Sequence, residues 1–516
     1  MARGTGAVAP QAGVLPRWPG VLAGLLVTAV VLLPVGRLAL WPGEGALTAA
    51  DWAAVRFTLW QAVLSAGISG LLAVPLARAL ARRVFRGRRA LIGLMGAPFI
   101  LPVVVAVFGL IALFGRNGPV NSALDWAGLP PLSIYGLHGV VIAHVFLNLP
   151  LVTRILLQGW AAIPSEHFRL AEALGAPVGR LLEAPMLRAR LPGALATVFL
   201  LCLTSFAVAL TLGGGPAATT VELAIYQALR FDFDPAAAAR LALVQLALGA
   251  AVALALWAIA PPPMPGAGLD RPLRRRDGGH TGRWLDGALI ALAAAFLIAP
   301  LALIAGGGVA GLPALPAATG AAALRSLAVA LVAAGLAVAL ALALALVRGP
   351  LAEIAAALPL AASALVLGAG LYLLAAPWAS PATLALPLTA LVNAVMALPF
   401  AYRLIAPAVV QAEAAHGRLA TTLGLTGAAR VRLFLLPRIR PALGLAAGLA
   451  AALSMGDLGI ITLFAGAEAP TLPLLMQGLM GAYRMQAAAG VALILAGLAF
   501  ALYWACDRWG GSHANS

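Results

Sequence analysis

Lysine is absent from this sequence: all 33 basic residues are arginine. A phosphate-binding loop of the Walker kind needs a lysine on the β- and γ-phosphates. The chain therefore supplies no such ATPase site of its own, and nucleotide energy would have to come from a partner. Cysteine is nearly absent too. Cys202 and Cys506 each sit inside an apolar run, which leaves no disulfide framework and no thiolate metal site. No HExxH, paired-carboxylate or Ser/His/Asp set occurs, so the residues offer no enzyme chemistry. Charge is scarce, at 10% of residues against 63% hydrophobic. Soluble domains are nearer half apolar and a quarter charged, so this chain cannot cover a water-soluble fold of 516 residues with polar surface.

What it has instead is apolar length. Runs long enough to cross a hydrocarbon core of about 30 Å fall near 20–41, 58–80, 90–114, 134–157, 194–213, 236–260, 285–308, 322–347, 351–376, 382–405, 442–465 and 487–507. Only helices can cross lipid one segment at a time, because their backbone groups are satisfied internally. The first run has Pro34 and Arg37 inside it and is too long for a cleavable signal core, so it reads as an uncleaved first span. The fold expected is an all-α integral membrane protein of about twelve transmembrane helices in two homologous six-helix halves.

The arginines orient it. With both termini and the even-numbered gaps on one side, 26 of the 33 arginines fall there and 7 opposite. Such asymmetry marks that side as cytoplasmic. It also explains the net charge of +16 without a nucleic-acid partner. Residues 261–284, rich in proline, glycine and arginine, read as a cytoplasmic linker. The expected division is 1–53 (first span and external loop), 54–260 (first half), 261–284 (linker), 285–508 (second half) and 509–516 (tail).

The halves are related at one fixed offset. HFRLAEALG at 167–175 and HGRLATTLG at 416–424 agree at six of nine positions, 249 residues apart. The matches are His167/His416, Arg169/Arg418, Leu170/Leu419, Ala171/Ala420, Leu174/Leu423 and Gly175/Gly424. The same offset brings Pro150 onto Pro399, Arg154 onto Arg403 and Pro192 onto Pro441. Each copy lies in a long arginine-rich gap after the fourth span of its half. Each predicts a short helix (165–174 and 411–423), a glycine stop and a second short helix ending near proline. Small residues before the glycine are expected to let another protein approach closely, so two loops of this length predict two equivalent docking sites.

These residues resemble the permeases of binding-protein-dependent ABC importers, whose mark is a cytoplasmic loop of the form EAA, three residues, Gly, nine residues, Ile-x-Leu-Pro. The second copy keeps that spacing from Ala420 through Gly424 to Leu436 and Pro437, whereas in the first copy Pro185 comes three residues early. Arg169 and Arg418 stand where the family usually has glutamate. The resemblance implies that Arg169, Leu170, Ala171 and Gly175, with Arg418, Leu419, Ala420, Gly424, Leu436 and Pro437, belong to coupling loops held by a cytoplasmic ATPase, in two copies. ATP and magnesium would then be bound by that partner, with no cofactor in this chain. The fused layout and the stretches 101–118, 136–158, 204–245, 454–464 and 471–484 are similar to thiamine importer permeases. That implies a bacterial inner-membrane location, a periplasmic binding protein as donor, and thiamine as cargo. Ferric-iron importer permeases share the layout. A twelve-helix secondary transporter is the alternative of another class, though acids for proton coupling are nearly absent from the spans.

Few polar residues lie inside the predicted spans. Asp457 costs about 2.5–3.5 kcal/mol to insert, so it should face the bundle interior; it either lines a translocation path or caps a broken helix beside Gly456 and Gly459. His144 and Asn393 occupy equivalent repeat positions and either line that path or bond neighbouring helices. Glu222, Asp232 and Asp234 are expected in an outer loop, and Gly213, Gly214 and Gly215 form a turn. His167 and His416 lack a second ligand at metal spacing.

Overall fold

The computed structural model describes residues 15–41, 46–213, 215, 218–259, 280–347, 349–464 and 469–511. Residues 261–279 of the expected linker, Arg3, Arg348, Gly214 and most of the tail lie outside the described residues. No strand occurs among the described residues.

The first half runs α1 (Trp18–Ala39), α2 (Ala49–Arg82), α3 (Arg88–Leu94), α4 (Ala97–Ile100), α5 (Val103–Phe114), α6 (Pro119–Trp126), α7 (Leu137–Ala161), α8 (Ser165–Ala173), α9 (Ala184–Leu203), α10 (Phe206–Leu212), α11 (Val221–Arg230) and α12 (Pro235–Ile259). The second runs α13 (His280–Gly311), α14 (Thr319–Val347), α15 (Pro350–Ala357), α16 (Ala364–Ala375), α17 (Pro381–Thr422), α18 (Gly427–Ala429), α19 (Leu436–Met455), α20 (Gly459–Phe464), α21 (Leu472–Gly481) and α22 (Met485–Gly510). Eleven helical segments among the described residues are long and apolar enough to cross a membrane. The pair Pro350–Ala361 and Ala364–Ala375, bent by 89°, makes twelve when counted as one span. The chain is a multi-pass membrane protein. Leu22, Leu25, Leu33, Leu292, Leu324 and Leu331 stay exposed on its flanks, as lipid-facing side chains do.

Four expected spans are broken, not continuous. The third stops at Leu101 and restarts after Pro102, the fifth breaks at Thr204–Ser205, and the eleventh breaks between Met455 and Gly459. The ninth bends at Ser363, whose side chain accepts from the Val366 N–H. Irregular backbone at membrane depth is tolerated only where it is buried in protein or lines a cavity. The outer gap before the last span of each half also differs from expectation: each holds a ten-residue helix, α11 and α21. Pro235 and Met485 then restart the chain as the last span of each half.

The first helix of each half crosses to the other. α1 packs on α14 and α16, while α13 packs on α2, α5 and α22. Gly109 permits the α5–α13 approach, since a Cβ there would stand 2.7 Å from Ile304 Cδ1 and 3.0 Å from the Pro300 carbonyl. A charged clasp joins the halves at the arginine-rich end. Asp286 accepts from Arg82 at 3.1 Å and from Arg83 at 2.7 Å, and it is 8% exposed. Such a buried carboxylate is held only because both its oxygens are paired.

Candidate functional site

The two repeat loops fold alike. α8 and the end of α17 each stop at a glycine in the left-handed conformation, Gly175 (φ 60°) and Gly424 (φ 69°). In both, the N–H beyond the glycine reaches back five residues, Ala176 to Ala171 and Leu425 to Ala420. The glycine N–H itself bonds Glu172 or Thr421. This is the Schellman arrangement, which satisfies carbonyls the helix end would otherwise orphan.

Side chains follow the same pattern. Arg169, Leu170, Leu174 and Gly175 are exposed, as are Arg418, Leu419, Leu423 and Gly424. Ala171 and Ala420 point the other way, at 7% and 1% exposure. The expectation that the small residues before the glycine leave a face for another protein therefore narrows to Ala173, Thr421 and Thr422, which are exposed, while Ala171 packs with Phe168 and Val178, and Ala420 with Phe434, Leu435 and Leu344. The large exposed apolar residues are the leucines.

After the glycine a helical segment follows as expected, but it does not end near the proline. A wide π turn (Gly179–Glu183; Arg430–Leu435) runs without a break into α9 or α19. Pro185 and Pro437 are the second residues of those helices. A proline lacks an N–H and crowds the carbonyl four residues back; widening the preceding turn relieves both. Pro185 comes early because the first loop has one helical residue before its π turn where the second has α18, and a π turn one residue shorter. Leu436 is half-buried and Pro437 exposed.

The loops are anchored by groups that sequence reasoning did not single out. Arg430, 3% exposed, bonds both oxygens of Glu413 (3.0 and 2.6 Å), the Gly417 carbonyl, the Thr421 hydroxyl and the Leu425 carbonyl. The Arg430 and Arg438 guanidinium groups both lie over the Phe434 ring, 5.5 and 5.1 Å from its centre, and Arg438 contacts His416 Nδ1 at 2.9 Å. In the first loop, Glu183 is buried and pairs with Arg78 of α2 at 2.8 Å. His167 is exposed. No spacing rule reveals such pairs, because the partners meet through the turn of the chain and not along one helix face.

Between the halves lies a cavity of 2350 Å³. The span breaks form one part of its wall, through Pro102, Ser205, Phe206, Leu365, Gly456 and Asp457. Arg154, Arg190, Arg403 and Gln411 form another, so the lining reaches the end of the molecule that carries the repeat loops. Asp457 lines it and also caps α20, its Oδ1 accepting from the Gly459 and Ile460 N–H groups at 3.2 and 3.4 Å. The helix-cap reading of that aspartate is what these bonds show, and the same side chain faces the cavity. His144 lines the cavity, 2% exposed, with Nδ1 3.3 Å from the Ser65 hydroxyl. Asn393 is not among the lining residues; it donates to Ser454 at 3.0 Å and ties α17 to α19.

Glu222 is the largest departure. Expected in an outer loop, it is 1% exposed on the first turn of α11 and lines the cavity, beside Ser363 and Gln245. The apolar run that continues through LAIY after it was the available signal. Asp234 caps α12, accepting from Ala237 at 2.9 Å, and Asp232 is exposed.

Known proteins match this chain from end to end. It is 40% identical over 527 residues to the thiamine transport system permease protein ThiP of Brucella abortus (strain 2308), covering 97% of each chain. To the protein of the same description from Escherichia coli (strain K12) it is 38% identical over 534 residues, covering 97% of this chain and 98% of that one. The molybdenum transport system permease protein ModB of Mycobacterium bovis is 31% identical over 255 residues, which is 96% of ModB but 48% of this chain. One such permease thus corresponds to about half of this molecule, as two fused halves require. No family model matches. The chain belongs to the family of thiamine transport system permease proteins.

Proposed function

We propose that the chain is the membrane-spanning subunit of an ATP-driven importer that passes thiamine and its phosphates from a periplasmic binding protein to the cytoplasm. The observation that carries this reading is full-length similarity to thiamine transport system permeases. The inner membrane is the location, and the arginine-rich end is cytoplasmic by the positive-inside rule. Two copies of an ATPase grip the exposed leucines and arginines of the two repeat loops, one copy per loop. ATP, with magnesium, draws those copies together and the loops with them. The cavity, whose lining reaches the loop-bearing end, then closes there and opens outward to receive cargo. Asp457 and His144 line the path; Asn393 serves it indirectly, by holding α17 to α19.

Cells with and without the chain, given labelled thiamine or ferric iron, test the cargo. Thiamine uptake that depends on the chain is the expected result; dependence of iron uptake alone overturns it. The detergent-solubilised protein should retain a tightly bound ATPase subunit, and its absence would favour a secondary transporter.

A further inference from the structure

Resting on that reading, we infer that Glu222 and Asp457 form a binding site for an organic cation within the cavity, one acid from each half. The helix breaks bring them to one region. Glu222 opens α11, Asp457 precedes α20, and α10, α11, α16 and α20 pack together around a single apolar cluster that includes Phe206, Val221, Leu365 and Ile460. Both acids and Phe206 line the cavity.

Each carboxyl group keeps one oxygen unsatisfied, although Ser363 and Gln245 bond Glu222 and Asn393 bonds Asp457. Oε1 of Glu222 and Oδ2 of Asp457 are buried without a hydrogen-bond partner. No ion pair to either acid is found among the described residues. A purely structural role explains only part of this. Capping α20 uses one oxygen of Asp457, and Thr220 already caps α11 through the Leu223 N–H. The cavity's arginines, Arg154, Arg190 and Arg403, lie on other helices, α7, α9 and α17. Buried carboxylate oxygens without partners are costly, and an organic cation in the cavity that both acids line would offset that cost. Phe206 adds an aromatic ring, whose face attracts cations. A delocalised ring cation such as the thiazolium of thiamine fits this set: broad, weakly hydrated and without donors that need precise acceptors.

The test uses the full chain with its ATPase and binding protein in proteoliposomes. Labelled thiamine is compared with an uncharged isostere whose ring nitrogen is replaced by carbon. Wild type should prefer the cation. Asp457→Asn and Glu222→Gln, which keep shape and cap, should each lower thiamine uptake about tenfold, equal to about 1.4 kcal/mol, and leave uptake of the neutral isostere unchanged. Equal loss of both substrates marks a packing role and overturns the inference, as does full thiamine uptake by the double variant. Binding of benzyltrimethylammonium to the purified permease separates this from the cargo reading. Acid-dependent binding without thiamine uptake would leave the site standing and sink the cargo. Thiamine uptake indifferent to both acids would do the reverse, and absence of both would sink the two together.

Discussion

The two repeat loops reach one shape by opposite means. Counted back from Pro437 and Pro185, buried Arg430 of the second loop matches buried Val178 of the first, and buried Leu435 matches buried Glu183. In the second loop the charge is internal, Arg430 to Glu413, while Leu435 joins an apolar cluster with Leu340 and Leu344 of α14. In the first, the interior is apolar, with Val178 among Phe168 and Ala171, and the charged link runs outward from Glu183 to Arg78 of α2. The helix entry differs at a corresponding place. Pro164 stands 249 residues before Glu413, so α8 is a separate helix whereas α17 runs from the span into the loop unbroken. Proline removes the N–H that would continue the helix. The shared outcome is exposed leucines, inward alanine and left-handed glycine, so it is this outer face that both halves preserve. The means of holding it differ.

The sharpest break of that comparison is Arg430→Ala. It strands Glu413 in a site where its partner is 3% exposed, and breaking a buried pair costs about 3 kcal/mol or more. Amide exchange across 411–437 should speed up about a hundredfold, at about 1.4 kcal/mol per factor of ten, while 165–190 is unchanged. The double change Arg430→Met with Glu413→Leu imitates the first loop's apolar interior and should recover most of the loss. If it does not, the charge pair has a role beyond packing that Val178 does not share.

Much of this architecture could be read from residues alone, and what could not be read has physical causes. The span number and the repeat were legible because apolar length and rare residue types at a constant offset survive any local detail. Gly175 and Gly424 were legible as stops because a left-handed turn selects glycine. The break at Ser205 was hidden, since helix and interruption are similarly apolar there, whereas the one at Asp457 was legible as a helix cap beside Gly456 and Gly459. Hidden too were α11 and α21: at ten residues they are too short to signal a span, yet their burial moves Glu222 from an outer loop into the cavity wall. Which of the small residues before the glycine face outward was not legible, because small residues suit close packing against a partner and against the chain itself equally well: Ala171 and Ala420 turn inward, Ala173, Thr421 and Thr422 outward.

An intermediate effect tests the equivalence instead of the difference. Gly175 and Gly424 have φ of 60° and 69°, and a Cβ added at either would meet no atom within 4 Å. Alanine there meets only backbone strain, about 1 kcal/mol. Gly175→Ala and Gly424→Ala should therefore raise local exchange by similar factors, roughly five- to tenfold. A much larger effect at either would mean that the loops hold their turns with unequal firmness.

The smallest effect belongs to the first loop alone and follows from its separate helix. Glu166 sits in the first turn of α8, where its own backbone N–H and then the Ser165 hydroxyl, at 3.1 Å, hold its carboxyl below the ordinary value of 4.5. A depressed acid stabilises the folded form above its unfolded value, and that support is lost as pH falls through the folded value. Acidification below pH 4.5 should therefore loosen the start of α8. Glu166→Gln should show the looser start already at neutral pH and remove that pH dependence. The corresponding position in the second loop is Ala415, in mid-helix, so exchange there should not respond to pH in this way once intrinsic rates are corrected. Equal pH responses in the two loops would show that the break at Pro164 does not create a free helix start.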